Sequence, residues 1–321
     1  MITVISKKHL LITLSIFLSL FLSCQTPNKN TESNNKEVFI KILGTVQDGG
    51  MPHLGCSKKC CANYYNQGFS KKRVVSLGIS NIKYNKHYLI EASPDINHQL
   101  KALLQDNNPS KSLNGIFLTH AHMGHYSGLL NLGRESFSSS MVPLFVMPKM
   151  QEFISSNGPW NQLVALKNVD LQSLSNNIPE ILEDNLSIIP FLVPHRDEYS
   201  ETVGYKIIGP SKTALFIPDI DKWEKWETSI VELIKEVDYA FLDGTFYDAK
   251  EINNRDISEI PHPFIIESLS LFKDLSIVDK DKVYFIHLNH TNPAIDKSSV
   301  PFKNIISKGF NVADINMEFS L

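Results

Sequence analysis

The chain has 321 residues, 20% of them charged and 42% hydrophobic, with a formal net charge of −3. Acidic and basic residues are mixed throughout, with no clustered basic stripe, which argues against nucleic acid as a partner. The length suits one large or two small domains.

Lys7 and Lys8 precede an apolar run from Leu10 to Leu22, followed by Ser23 and Cys24. A charged start, a short apolar segment and a small residue before cysteine read as an export signal. The run is short for a bilayer span, which needs about 20 apolar residues. The placing of Cys24 resembles a lipobox and predicts lipid attachment there, hence an exported, membrane-anchored lipoprotein; an ordinary signal or an uncleaved anchor is the alternative. Residues 25–37 are polar and read as a tether. Residues 38–321 then form the globular domain.

Runs rich in Val, Ile, Phe and Tyr, bounded by turn residues, predict strands at Val38–Leu43, Val74–Ile79, His87–Ile90, Gly115–Leu118 and Val142–Val146. Further strands are predicted at Ile188–Val193, Val203–Ile208, Thr213–Ile217, Tyr239–Leu242 and Val283–Ile286. Apolar residues at Trp223, Trp226, Ile230, Leu233, Ile234 and Val237 predict one helix over Lys222–Val237, and a second helix starts near Pro263. Strands outnumber helices, but helices recur in both halves, as in sheets covered by helices.

Between the first two strands lie Cys56, Cys60 and Cys61. Their odd number precludes complete pairing within the domain, and three thiols within six residues suggest a metal site short of one ligand. Free or mispaired thiols are the alternative in an oxidising compartment.

The fourth predicted strand runs into Leu118-Thr119-His120-Ala121-His122-Met123-Gly124-His125. Residues i and i+2 of a strand point the same way, so His120 and His122 can reach one ion, with His125 returning from the turn that follows. Downstream, His195, Asp219 and His287 each follow an apolar run of strand type.

The pattern Thr-His-x-His-x-x-His followed by Gly-Leu resembles the metallo-β-lactamase superfamily. The resemblance implies an α/β fold, an αββα sandwich of two mixed β-sheets packed between helices. By it, His120, His122 and His195 hold a first metal, Asp219 bridges, and His125, Asp219 and His287 hold a second. The superfamily usually has aspartate just before the third histidine of the motif, where this chain has Gly124. The second metal is therefore expected to be weak or absent, unless a substitute such as Asp221 or Asp197 closes the site.

Leu43–Cys61, Glu91–Leu100, Phe241–Phe246 and His287–Pro293 further resemble the pyrroloquinoline quinone biosynthesis protein B group. A related phosphodiesterase pairs an N-terminal cysteine cluster with a histidine three residues after the last ligand. By that likeness Cys56, Cys60, Cys61 and His290 form a structural metal site. His262 matches by position a proton-donating histidine, although a helix-start histidine without chemistry is an equal reading. Asp243, Glu91 and Asp95 are candidates to support ligating histidines from behind, or are turn residues.

Together these readings imply a metallohydrolase that attacks a small ester, phosphodiester or amide with metal-activated hydroxide. Asp219 and His262 are its catalytic residues, and zinc is the expected ion, with iron or manganese as others. The alternatives are a metal-dependent oxygenase or oxidoreductase of quinone-cofactor biosynthesis, or a lipoprotein that binds metal or ligand without turnover.

Overall fold

Alternation along the strands sets the layers. In the run Ile116-Phe117-Leu118, Phe117 enters one apolar cluster while its neighbours enter another. In Leu215-Phe216-Ile217, Phe216 joins that same first cluster while Leu215 and Ile217 face a third. A period of two with both faces apolar means each sheet is buried on both sides.

The computed structural model describes residues 37–66, 71–104, 112–251 and 260–321. The export signal, Cys24 and all of the tether but Glu37 lie outside the described residues.

The first sheet contains β1 (Val38–Gly44), β2 (Ser76–Asn81), β3 (Lys86–Ile90), β4 (Gly115–Phe117), β5 (Val142–Val146) and β6 (Val169–Ser173). The second contains β7 (Glu180–Glu183), β8 (Leu186–Leu192), β9 (Val203–Ile208), β10 (Thr213–Ile217), β11 (Tyr239–Asp243), β12 (Val283–Ile286) and β13 (Asn311–Val312). The chain then returns to the first sheet as β14 (Glu318–Ser320). The strand orders are β14-β1-β2-β3-β4-β5-β6 and β13-β12-β11-β10-β9-β8-β7. Both sheets are mixed: β3 to β6 run parallel, as do β10 to β13, and the remaining pairs are antiparallel.

The inter-sheet core joins Ile40, Ile42, Leu77, Phe117, Tyr205, Phe216 and Phe241. Residues of helices Ile96–Leu103 and Pro148–Ser156 cover the outer face of the first sheet. Residues of Ile230–Glu236, Ile265–Leu271 and Val300–Ser307 cover that of the second. This is the αββα sandwich expected from the sequence.

Local signals explain several boundaries. The helix Val300–Ser307 begins where the Ser299 side chain accepts from the Phe302 amide at 3.1 Å, with Pro301 in the first turn. The single helix predicted over Lys222–Val237 is instead a 3₁₀ turn, Trp223–Lys225, and a separate helix, Ile230–Glu236, capped by Ser229. The two indoles dock on different elements. Trp223 Nε1 donates to Ser268 Oγ at 2.9 Å, whereas Trp226 stacks on Phe191 and donates to the Leu192 carbonyl at 3.1 Å. One straight helix would carry both indoles on one stripe and could not serve both. The helix expected near Pro263 is present at Ile265–Leu271.

Candidate metal centre

Strand ends build the site. His120, His122 and His125 follow β4, His195 follows β8, Asp219 follows β10 and His287 follows β12, so both sheets deliver side chains to one edge of the sandwich. Strand β4 stops at Phe117, one residue short of the predicted Leu118. His120 and His122 therefore leave from a loop rather than from the strand itself. Residues of β9 and of the loop before it hold that loop: Tyr205 Oη donates to the Leu118 carbonyl, the Val203 amide to the Thr119 carbonyl (3.1 Å) and the Ala121 amide to Ser200 Oγ (2.8 Å).

Asp219 is the hub. Its Oδ2 lies 3.0 Å from His125 Nε2, 3.2 Å from His287 Nε2 and 4.0 Å from His120 Nε2. Its Oδ1 lies 3.7 Å from both His195 Nε2 and His262 Nδ1. His120 Nε2 and His122 Nδ1 are 2.8 Å apart, and His120, His122 and His195 form one group of converging ligand atoms. Burial works against the charge on Asp219, but the surrounding His287, His125 and His120 imidazoles hold its carboxyl well below the usual range.

Hydrogen bonds assign two tautomers. The Thr119 hydroxyl donates to Glu91 Oε1 (2.6 Å) and so accepts from His120 Nδ1 (2.8 Å), which leaves the His120 Nε2 lone pair free on the side of His122 and Asp219. The Thr245 hydroxyl donates to Asp243 Oδ1 (2.7 Å) and accepts from His287 Nδ1 (2.9 Å), with the same result for His287 Nε2. Glu91 Oε1 also stands 3.1 Å from His125 Nδ1. Buried Glu91 and His287 both adopt left-handed backbone, φ +72° and +63°, a conformation that costs non-glycine residues energy and concentrates at functional sites.

Seven atoms here are buried and make no hydrogen bond among the described residues: Asp48 Oδ1, both His125 nitrogens, both His195 nitrogens, Asp219 Oδ2 and His287 Nε2. Buried polar groups are ordinarily paired; His125 Nδ1 and His195 Nδ1 face Glu91 and Asp221, and the other five atoms, Asp48 Oδ1, Asp219 Oδ2 and the Nε2 atoms of His125, His195 and His287, converge as a donor set that fits a divalent cation. The residue types suit zinc, iron or manganese alike.

The structure places the other candidates with some corrections. Asp243 pairs with His262, Oδ2 to Nδ1 at 2.8 Å, and reaches His287 only through Thr245. Burial lowers the His262 pKa, but the Asp243, Asp219 and Asp48 carboxylates together outweigh it and raise it. Asp95 bonds Lys71 and the Val74 amide, not a histidine of the centre. The two substitutes proposed for the missing aspartate lie elsewhere: Asp221 stands behind His195, 3.5 Å from Nδ1, and Asp197 accepts from Thr202. Asp48, which sequence reasoning missed, sits in their place. Its Oδ1 is 3.2 Å from His125 Nε2 and 4.0 Å from His287 Nε2. A cavity of about 500 Å³ opens beside it, lined by Gln47, Met123, Phe246, Glu251 and Thr291 among others.

A second cluster lies across the same loop. The distances are 3.8 Å for Cys56–Cys60, 3.9 Å for Cys60–Cys61, and 3.6 and 3.5 Å from His290 Nδ1 to Cys60 and Cys61. A zinc ion about 2.3 Å from sulfur and 2.0–2.1 Å from nitrogen sets tetrahedral edges of about 3.8 Å and about 3.6 Å. These four separations match tetrahedral edges, all four ligand atoms lie within 4.8 Å of one another, and the adjacent cysteines both take part. Burial and the neighbouring thiols push Cys60 up to about 12, so a cation is what would let three thiolates coexist. Burial and nearby positive charge push His290 down to about 4, which keeps its ring neutral and able to ligate.

Residues 86–288 match the Beta-lactamase superfamily domain. Coenzyme PQQ synthesis protein B of Acinetobacter baylyi is 25% identical over 289 residues, covering 82% of this chain and 93% of the relative. The Gluconobacter oxydans protein of the same name is 26% identical over 305 residues, covering 88% and 99%. Among solved structures, zinc-bound PqqB from Methylobacterium extorquens superposes with a TM-score of 0.72 at 21% identity, covering 88% of this chain and all of that one. A diphosphatase of the PhnP family gives 0.61 at 18% identity, with 88% and 96% coverage. With its two mixed sheets between helices and its cation-ready histidine cluster, the chain belongs to the β-lactamase superfamily, adopts the metallo-β-lactamase fold and is PqqB-like.

Proposed function

We propose that the protein is a metal-dependent enzyme acting on a small molecule, and that its chemistry is of the coenzyme PQQ synthesis protein B type, a metal-dependent oxygenase or oxidoreductase step. The observation that carries metal dependence is the buried Asp219 carboxylate ringed by His120, His125, His195 and His287, with orphaned lone pairs on both sides. Support for the biosynthetic reading comes from relatives of that name aligned over more than four-fifths of the chain.

A second reading, hydrolysis of a small ester, phosphodiester or amide, is favoured by the His262–Asp243 pair beside Asp219. A bound divalent ion supplies Lewis acidity and an activated water at neutral pH. Asp219 orients the reacting groups. Asp243 accepts from His262 Nδ1–H, so His262 can give a proton from Nε2 only as the doubly protonated imidazolium, the form that the neighbouring carboxylates favour.

Metal analysis with parallel assays decides between the two. Iron at the His120, His122, His195 and Asp219 set, with oxygen consumption, supports the first reading. Zinc with phosphate or alcohol release from an ester and diphosphate panel supports the second. Metal bound without either activity supports a ligand-binding role and overturns both.

We also read residues 1–24 as a lipoprotein export signal on sequence grounds. Cells fed labelled palmitate should label the wild type and not Cys24→Ser; equal labelling removes that reading.

A further inference from the structure

Gly124 leaves the superfamily motif without its aspartate, and the structure shows what occupies that volume. An ideal Cβ built on Gly124 would lie 2.1 Å from Asp48 Oδ1, 2.5 Å from Asp48 Cα and 2.9 Å from its Cβ. Contacts under 3 Å to backbone and to a short carboxylate cannot be relieved by a small rotation. A side chain at position 124 and Asp48 in its present place are mutually exclusive.

Asp48 is held there by its own loop. After β1 the chain turns through Gln47–Gly50, with the Gly50 amide donating to the Gln47 carbonyl at 2.8 Å and Gly50 at φ +69°. The Gln47 amide donates to the Leu288 carbonyl at 3.0 Å, which ties this turn to the loop carrying His287. Asp48 Oδ1 is buried and makes no hydrogen bond among the described residues. With His125 and His287 it forms a group of ligand atoms within 4.8 Å of one another.

We propose that Asp48 is the carboxylate ligand of the second metal position, relocated from the helix start to the loop after β1, and that Gly124 is the vacancy that admits it. The centre then has a complete second donor set of Asp48, His125, His287 and the shared Asp219, and binds two divalent ions rather than one. The inference rests on the metal-centre reading above. It adds that the departure from the motif is a compensated exchange of ligand position, not a loss.

The test is zinc stoichiometry and affinity by equilibrium dialysis and elemental analysis of the full chain. It needs no substrate. Asp48→Ala should bind one ion fewer than wild type, and Asp48→Asn should weaken that ion at least 10-fold with an unchanged circular dichroism spectrum. Gly124→Asp alone should also lose it, because the two carboxylates collide. The double variant Asp48→Gly with Gly124→Asp should restore wild-type stoichiometry, an outcome no general destabilisation would produce. Wild-type stoichiometry and affinity in both Asp48→Ala and Asp48→Asn would overturn the proposal. So would a wild type that holds a single ion at the centre. His120→Ala serves as the reference: if it too releases no ion, the metal-centre reading itself fails, whereas loss there without loss at Asp48 removes only the ligand exchange.

Discussion

The Cys61 thiol and the His290 imidazole stand 3.5 Å apart although 229 residues separate them in the chain. His290 lies three residues beyond His287, so one loop after β12 presents a nitrogen to each of the two clusters. The Cys61 sulfur also accepts from the His53 amide at 3.2 Å, and the His53 ring stacks on His290 at 4.4 Å. The cysteine cluster thus packs against the loop that carries a ligand of the candidate catalytic centre.

Replacing Cys60 or Cys61 by serine should remove one tightly held ion and lower the thermal midpoint by roughly 5–15 °C, since the binding energy of a structural metal is folding energy. Elemental analysis and a thermal melt check both. Unchanged metal content would show that the thiols are merely neighbours.

Removing the His262 ring nitrogen should separate chemistry from metal binding. In His262→Ala, ion content should match wild type while turnover of a hydrolysable substrate falls about 10²–10⁴-fold, the usual contribution of a positioned general acid. Asp243→Asn should follow in the same direction, because the 2.8 Å bond that orients His262 loses its charge. Full activity in both would leave His262 a buried structural residue.

Glu251 gives a pH signature. Burial pushes its carboxyl up to about 7, although the amides of Tyr247 and Asp248 and the Thr291 hydroxyl favour its charged form. The folded protein therefore keeps this proton up to about pH 7, whereas the unfolded chain releases it near the ordinary glutamate value of 4.5. Between those values the native state binds more protons, so this contribution to stability is fully present below about pH 4.5 and lost as pH rises towards 7. Glu251→Gln should remove that slope, and its stability relative to wild type should rise by about 1–3 kcal/mol between pH 4.5 and 8. Urea midpoints across this range test it, and parallel curves for the two proteins would contradict it.

Tyr205 is fully buried between the sheets, and its hydroxyl donates to the Leu118 carbonyl at the root of the histidine loop. Tyr205→Phe leaves that carbonyl unpaired and should cost about 1–3 kcal/mol. The variant should also hold ions at the His120 position less tightly, measurable as a faster zinc release to chelator. A stability loss with unchanged release would confine Tyr205 to packing.

All ten strands predicted from the sequence are present, most within a residue or two of their predicted limits, because each carries apolar side chains on both faces. Among the described residues, the four strands that were not predicted, β6, β7, β13 and β14, are the outermost strands of the two sheets. Val169-Asp-Leu-Gln-Ser, Glu180-Ile-Leu-Glu, Asn311-Val and Glu318-Phe-Ser are short or half polar, since an edge strand meets solvent on one side. Nothing in such a segment marks it as a strand until its neighbour supplies the hydrogen bonds.

The same division runs through the site. Histidine spacing after β4, and a ligand after each of β8, β10 and β12, are local patterns, so composition and order in the chain reveal His120, His122, His125, His195, Asp219 and His287 as a set. Asp48 carries no such mark. It sits in a glycine-rich turn 77 positions before His125, and only the packing of β1 beside β2, with Val46 bridged to Leu288, carries that turn to the histidines. Sequence alone determined that the chain carries a metal-binding donor set, since residue type sets which lone pairs exist. Tertiary structure decided which carboxylate fills the gap at Gly124, because two side chains cannot share one volume and only folding shows which of them is there.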